Sequence, residues 1–244
     1  MKLARTVAPE ALDHLPTQDP AAQRSRRDLM RVHQAMGSCA ILRRAWQSLV
    51  PVWPSGRPLR ILELGAGDGT LLLGVARALA PHWPPVHLTL LDRQDLVSPV
   101  TRSCYEALGW TTELDVTDVL DWAQPPPGER PAPRWDLIST ALFLHHFEGE
   151  HLQRLLAAVA ARADRFVACE PHRHWLALAG SHLVGAIGAN EVTRQDAVLS
   201  VHAGFQGDEL SALWPGERDR WQLHERGAGL FSHCFCAQRR EATP

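Results

Sequence analysis

Two adjacent histidines, His145 and His146, end an apolar run that starts at Asp136 and reads DLISTALFLHHF. Imidazoles at the end of a buried strand can ligate a metal, handle protons near neutral pH or brace a loop. A second polar set, Glu170, His172 and Arg173, follows another apolar run in RFVACEPHR. Upstream, Glu63 stands two residues before Gly65 in ELGAGDG, where Gly67 and Gly69 complete the turn. With no Cβ in the way, backbone N–H groups of such a turn can come close to a ligand. Two more acids, Asp92 and Asp115, each end a short apolar run. At the carboxyl end of a strand, Asp92 is placed to accept from ribose hydroxyls and Asp115 to meet an adenine amino group.

These residues need a scaffold that brings strand ends together, and the pattern predicts one. LRILEL, VHLTLLD, TTELDV, DLISTALFL and RFVACEP read as short buried strands, separated by helix-forming stretches. Strands alternating with helices imply a parallel, doubly wound sheet with ligands at its carboxyl edge. The fold class expected is therefore α/β, a Rossmann-like and mostly parallel sheet. RWQLHERGAGLFSHCFCAQRR adds a C-terminal antiparallel hairpin turning at Gly227–Gly229. Residues 1–20 read as a loose leader, and 23–49 as two cap helices broken at Gly37. QPPPGERPAPRW reads as a loop, 174–190 as helical, and RQDAVLSVHAGF as ambiguous between helix and strand. One domain is expected at 58–244, with the leader and cap helices at 1–57 and acceptor-pocket elements at 172–215.

Composition excludes several classes. Of the 244 residues, 45% are hydrophobic and 21% charged, as in an ordinary globule. A formal net charge of −2 argues against nucleic acid or an anionic membrane surface as partner. Lys2 is the only lysine, so a P-loop is impossible; with Tyr105 the only tyrosine, so is a Tyr-x-x-x-Lys catalytic pair. The glycine spacing is GxGxG, not the GxGxxG usual for nicotinamide binding. Cys39, Cys104, Cys169, Cys234 and Cys236 form no CxxC pair and read as reduced thiols in a cytoplasmic protein. No HxxxH or acid-rich cluster accompanies the histidines, so no metal is expected.

Residues 58–172 resemble the class I S-adenosylmethionine-dependent methyltransferases. ILELGAGDG matches the glycine motif, LLDRQ the ribose acid, LDVTD the adenine-side acid and DLISTALFLHHF the fourth-strand motif. The closing hairpin suits the family's antiparallel strand. The resemblance implies S-adenosyl-L-methionine as cofactor. On it, Glu63 and the backbone of Gly65, Ala66, Gly67 and Gly69 serve the methionine moiety. Asp92 and Arg93 serve the ribose, Asp115 and Val116 the adenine, and Thr140 and Ala141 line the cofactor. Arg43 or Arg44 in the cap helices is a candidate for touching the cofactor carboxylate.

The LHH pattern is similar to the small-molecule, UbiE-like branch. That implies O- or C-methylation of a phenolic, quinone or polyketide-like acceptor, in bacterial small-molecule biosynthesis. The Asn/Asp-Pro-Pro-Tyr/Phe motif of protein-amine and DNA-amine methylation is missing. His145, His146 and Glu170 are the catalytic candidates, and His172 and Arg173 the acceptor-binding ones. Because adjacent strand residues point to opposite faces, only one histidine of the pair is expected to face the acceptor. A small-molecule acceptor is the expected partner, without nucleic acid or membrane, and a homodimer is one open assembly. The competing readings are a non-catalytic cofactor-binding protein and a nicotinamide-dependent oxidoreductase.

Overall fold

Strand β1 (Leu59–Leu64) sends Leu59 and Ile61 to one core and Leu62 and Leu64 to another. Side chains alternate along a strand, so a strand apolar on both faces must be covered on both. The computed structural model supplies that cover; it describes residues 3–53, 56–124, 134–216 and 218–240. Pro125–Pro133, read as a loop, lies outside the described residues.

The remaining strands are β2 (Val86–Asp92), β3 (Trp110–Val116), β4 (Leu137–Ala141), β5 (Arg165–Pro171), β6 (Trp221–Ala228) and β7 (Ser232–Arg239). They join β1 in one seven-stranded sheet of order β3-β2-β1-β4-β5-β7-β6. Strands β1 to β5 pair in parallel, and β7 runs antiparallel to both β5 and β6. The chain leaves β1 toward β2 and β3, then returns to the other side of β1 as β4. Diverging connections at that switch point open a crevice above the carboxyl ends of β1 and β4. The doubly wound sheet with a C-terminal hairpin is as expected, although Gly227 belongs to β6 and the turn lies after Ala228.

Helices α1 (Ala11–His14), α2 (Pro20–Met36) and α3 (Ser38–Leu49) precede the sheet. Helices α4 (Thr70–Leu79), α5 (Pro99–Ala107), α6 (Val119–Ala123) and α7 (Gly149–Arg162) connect its parallel strands. Between β5 and β6 come α8 (Trp175–His182), α9 (Glu191–Ala203) and α10 (Glu209–Leu213). A 3₁₀ turn, Val184–Ile187, links α8 to α9.

Local chemistry sets the boundaries of α2. The Asp19 carboxylate accepts from Ala21 N at 2.7 Å, with Pro20 in the first turn. Gly37, at φ +70°, ends the helix in the left-handed conformation and starts α3. The ambiguous stretch 194–205 is helical through Ala203, because Asn190 caps Thr193 N at 2.9 Å and nucleates α9.

Helix α3 anchors the cap to the sheet. The Trp46 ring is fully buried, stacks on Trp83 and Trp110, and donates from its indole nitrogen to Ser139 Oγ at 3.3 Å.

The leader is not loose: residues 3–14 form a strap along α9 and the β4 loop. The Arg5 guanidinium donates to the carbonyls of Ala203 at 2.8 Å and Phe147 at 2.9 Å, and lies over the Phe205 ring. Thr6 N donates to His202 O at 3.1 Å. The Asp196 carboxylate caps α1, accepting from Ala11 N at 2.8 Å and Leu12 N at 3.0 Å. Such partners lie far away in sequence, so no local pattern reveals the order they impose.

Replacing Trp46 by Ala removes the largest side chain between α3 and the sheet. Denaturant unfolding should show a loss of about 3–5 kcal/mol; a loss below about 1 kcal/mol would show that the stack is not what fastens the cap.

Candidate functional site

Above the β1–β4 switch point lies a cavity of about 720 Å³, enclosed by the strand ends, α2, α8, α9 and the strap. Its floor on the β1 side is the glycine turn. Gly65 has φ +68°, and a Cβ there would sit 2.3 Å from the Phe143 ring. Both conformation and space therefore require glycine. Gly67, at φ +56°, lines the cavity with nothing within 4 Å of where its Cβ would stand.

Asp92 ends β2 and holds this turn. Its carboxylate accepts from Gly67 N at 2.9 Å and Gln94 N at 3.0 Å. A carboxylate has about four acceptor sites, so capacity remains for a ligand hydroxyl. Glu63 is buried, and its Oε2 has no hydrogen-bond partner. Burial pushes its carboxyl up to about 8, aided by the nearby charge of Glu170 and opposed by a hydrogen bond with Ser139.

The β4 side is built differently from expectation. Strand β4 ends at Ala141, and the histidines sit in a 3₁₀ turn, Leu144–His146. Their rings are therefore neighbours, with centroids 4.3 Å apart, and do not point to opposite faces as strand residues would. Leu142 enters this turn at φ +51°, a strained conformation for a residue with a branched side chain.

Glu170, fully buried at the end of β5, holds the turn. Its carboxylate accepts from Phe143 N at 3.2 Å, Leu144 N at 3.0 Å and His145 N at 3.3 Å, and contacts His145 Nδ1 at 2.9 Å. It does not line the cavity. Glu170 is thus the anchor of the β4 loop, because its oxygens are spent on backbone donors.

His145 is 2% exposed and lies between two carboxylates, Glu170 on Nδ1 and Glu10 on Nε2 at 3.3 Å. Burial lowers its pKa, but the two carboxylates outweigh burial and raise it to about 9. It is an imidazolium at neutral pH, with both nitrogens engaged. His146 is more exposed, and its Nδ1 lies 3.1 Å from Asp13 Oδ2. Asp13 also meets Arg93 at 3.4 Å. Burial raises the Asp13 carboxyl, but His146 and Arg93 bring it below the usual carboxylate range.

Of the residues expected from sequence, Glu63, Gly65, Ala66, Gly67, Asp92 and Arg93 line the cavity, as do Ala141, His145 and His146. Gly69, Asp115, Val116, Thr140, Glu170, His172 and Arg173 do not. Gly69 caps α4 and accepts from the Tyr105 hydroxyl at 2.7 Å. Asp115 is tied to the Thr117 hydroxyl at 2.5 Å and Val116 is exposed; Thr117 and Asp118, just beyond β3, reach the cavity instead. Thr140 points away, donating to Leu64 O at 3.0 Å. His172 is stacked between His174 and His233. Arg173 is buried in an ion pair with Glu209 and donates to Leu3 O at 2.9 Å, so it clamps the strap. Arg43 and Arg44 lie outside the cavity wall, where Arg26 and Arg93 are the arginines present.

Glu10 and Asp13 were not foreseen, since the leader carried no local signal. The cavity face of α9 was visible in principle: Thr193, Asp196, Ala197, Ser200 and Val201 recur at helical spacing. Helix α2 shows two such facets. Arg26, Met30 and His33 turn toward the glycine-turn side, where Arg26 donates to Gln94 and Thr70 to Met30. Ser25, Leu29, Val32 and Met36 form the neighbouring facet that also lines the cavity, and Ser25 meets Thr193 of α9 at 2.5 Å.

No family model and no curated protein matches the chain. Solved structures do. The plantazolicin methyltransferase BpumL in complex with SAH superposes with a TM-score of 0.61 at 14% identity, over 91% of this chain and 92% of that one. An O-methyltransferase family protein from Burkholderia thailandensis gives 0.58 at 16%, over 95% and 62%. Magnesium protoporphyrin IX methyltransferase (ChlM) from Synechocystis PCC 6803 with bound SAH gives 0.50 at 14%, over 94% and 91%. At such identities the likeness establishes the fold.

The His145 cluster has a pH signature. Its pKa rises on folding from an ordinary 6.5 to about 9, so its stabilisation is complete below 6.5 and fades as the pH climbs through 9. The unfolding free energy should fall across that window by an amount on the order of 3 kcal/mol. His145→Gln should flatten the slope; an equal slope in both proteins would assign it to other groups.

Proposed function

We propose that this chain transfers the methyl group of S-adenosyl-L-methionine to a small-molecule acceptor within the cavity. One observation carries the reading: a buried carboxyl oxygen without a partner, Glu63 Oε2, on the wall of a glycine-floored cavity at the switch point. An unmet buried acceptor is costly unless a ligand donor satisfies it, and the ammonium of an amino acid moiety is such a donor. Gly65 and Gly67 keep the wall free of Cβ atoms, Asp92 has capacity for ribose hydroxyls, and Thr117 and Asp118 stand where the adenine edge would lie. When bound, the cofactor supplies a methyl group already activated on a sulfonium.

The protein's part is then chiefly alignment, which can contribute about 7–11 kcal/mol. His145 is unsuited as a base, because both its nitrogens face carboxylates and it holds its proton. His146 is suited: Asp13 faces Nδ1, and Nε2 is available to take the proton of an acceptor hydroxyl. Glu170 and His145 act as positioning residues through the turn that carries His146. The apolar lining from α2 and the α8–α9 connection, Leu29, Val32, Met36, Leu183, Val184 and Ile187, supports phenolic, quinone or polyketide-like acceptors, as in the UbiE-like branch. Free thiols at all five cysteines support a cytoplasmic setting. Among the described residues no helix is long and apolar enough to cross a membrane.

Two measurements test the reading. Calorimetric titration with S-adenosylhomocysteine should show binding that tightens as the pH rises toward the Glu63 value of about 8, since the carboxylate form receives the ammonium. Glu63→Gln should weaken binding roughly 10- to 100-fold and remove that pH dependence. No binding by the wild-type protein would sink the assignment. Separately, transfer of tritiated methyl to a phenol panel should drop roughly 10²- to 10⁴-fold in His146→Ala, with cofactor affinity unchanged. A variant with intact turnover would remove His146 from the mechanism.

A further inference from the structure

The acceptor half of the cavity has a direction. At one end of α9, Ser200 donates to Glu10, which contacts His145. At the other end, Thr193 meets Ser25 of α2. Seven residues of helix separate Ser200 from Thr193, so the ends are about 10 Å apart along the axis. The lining beside them includes the apolar side chains of Leu29, Val32 and Met36 from α2 and of Ala177, Val184 and Ala197 from α8, the 3₁₀ turn and α9.

Four polar residues along this path already have partners. Ser25 and Thr193 bond each other, the Ser181 hydroxyl donates to Leu178 O at 2.8 Å, and Asp196 caps α1. The unpartnered polar atom nearest to the path is His33 Nδ1, which belongs to the other facet of α2. At the far end Leu183 and Ile187 both line the cavity and face solvent, at 67% and 41% exposure. Large apolar side chains that form the rim of a cavity, and are otherwise wet, gain most when an apolar group passes between them.

We infer that the acceptor carries an extended apolar group. It lies along α9 from the histidine end and leaves the cavity between Leu183 and Ile187. This rests on the methyltransferase reading only in placing the reacting atom beside His146; the subsite itself is a property of the walls.

The test is a calorimetric series of 4-alkylphenols, from 4-methylphenol to 4-octylphenol, on the full chain with and without saturating S-adenosylhomocysteine. Affinity should rise with each added methylene, by up to about fourfold. Leu183→Asp combined with Ile187→Asp should flatten the series while leaving 4-methylphenol and S-adenosylhomocysteine binding as in the wild type. Trp175→Asp, an exposed residue outside the cavity wall, should leave the slope intact. A flat wild-type series, no binding of any member, or an unchanged slope in the double variant would overturn the subsite. A dimer by sedimentation that the double variant dissociates would also overturn it, because a second copy would then cover the rim. Chain-length dependence without S-adenosylhomocysteine binding would leave the subsite standing and remove the methyltransferase reading.

Discussion

Everything at the β4 side of the site hangs on the carboxylate of Glu170. Three consecutive backbone N–H groups, from Phe143 to His145, converge on it together with the His145 ring. That convergence holds Leu142 at a positive φ and folds LHH into a turn instead of letting β4 continue. A buried carboxylate needs several donors, and a tight turn leaves several N–H groups without partners, so each solves the other's deficit. With the turn held, Phe143 packs against Gly65, and the cavity floors on the two sides of the switch point meet. The cavity geometry is therefore set by an acid that does not touch the cavity.

From that anchor, a chain of charges runs outward to the N-terminal strap. Glu170 faces His145, His145 faces Glu10, and Glu10 accepts from Ser200 on α9. A parallel chain runs from Arg93, beside Asp92, through Asp13 to His146. The strap thus joins the glycine-turn side to the histidine side, and the two halves share one network of charge-assisted contacts. Arg5 fastens it from within, binding carbonyls of the β4 loop and α9, and Arg173 from outside, binding a carbonyl of the strap. The histidine end is polar, with both nitrogens of His145 engaged, whereas the path beside α9 has Leu29, Val32, Val184 and Ala197 among its lining and opens at Leu183 and Ile187.

Much of the fold was legible because it rests on local repetition. Apolar runs of strand length, glycines after β1 and helical spacing between strands leave few arrangements other than a doubly wound sheet. The glycine turn, Glu63, Asp92 and the LHH stretch were visible as types and spacings, and each lies at a strand end where the topology puts ligands. Glu170, His172 and Arg173 were visible too, but with the wrong employment. Position after a strand says that a residue is near the carboxyl edge; it does not say whether backbone donors or another chain segment will claim it first. Asp115 and Asp118 show the same limit at finer grain, since a shift of three residues past β3 decides which acid reaches the cavity.

The sequence by itself determined the sheet, the order of its strands' chemistry and the turn that can cradle a ligand, because these follow from periodicity and backbone freedom over short spans. Only the tertiary structure decided which histidine has a nitrogen to spare, which acids complete the site and where the cavity opens. Those outcomes depend on pairs such as Glu10 with His145, 135 residues apart, whose meeting is fixed by packing and by competition among donors for a few buried oxygens.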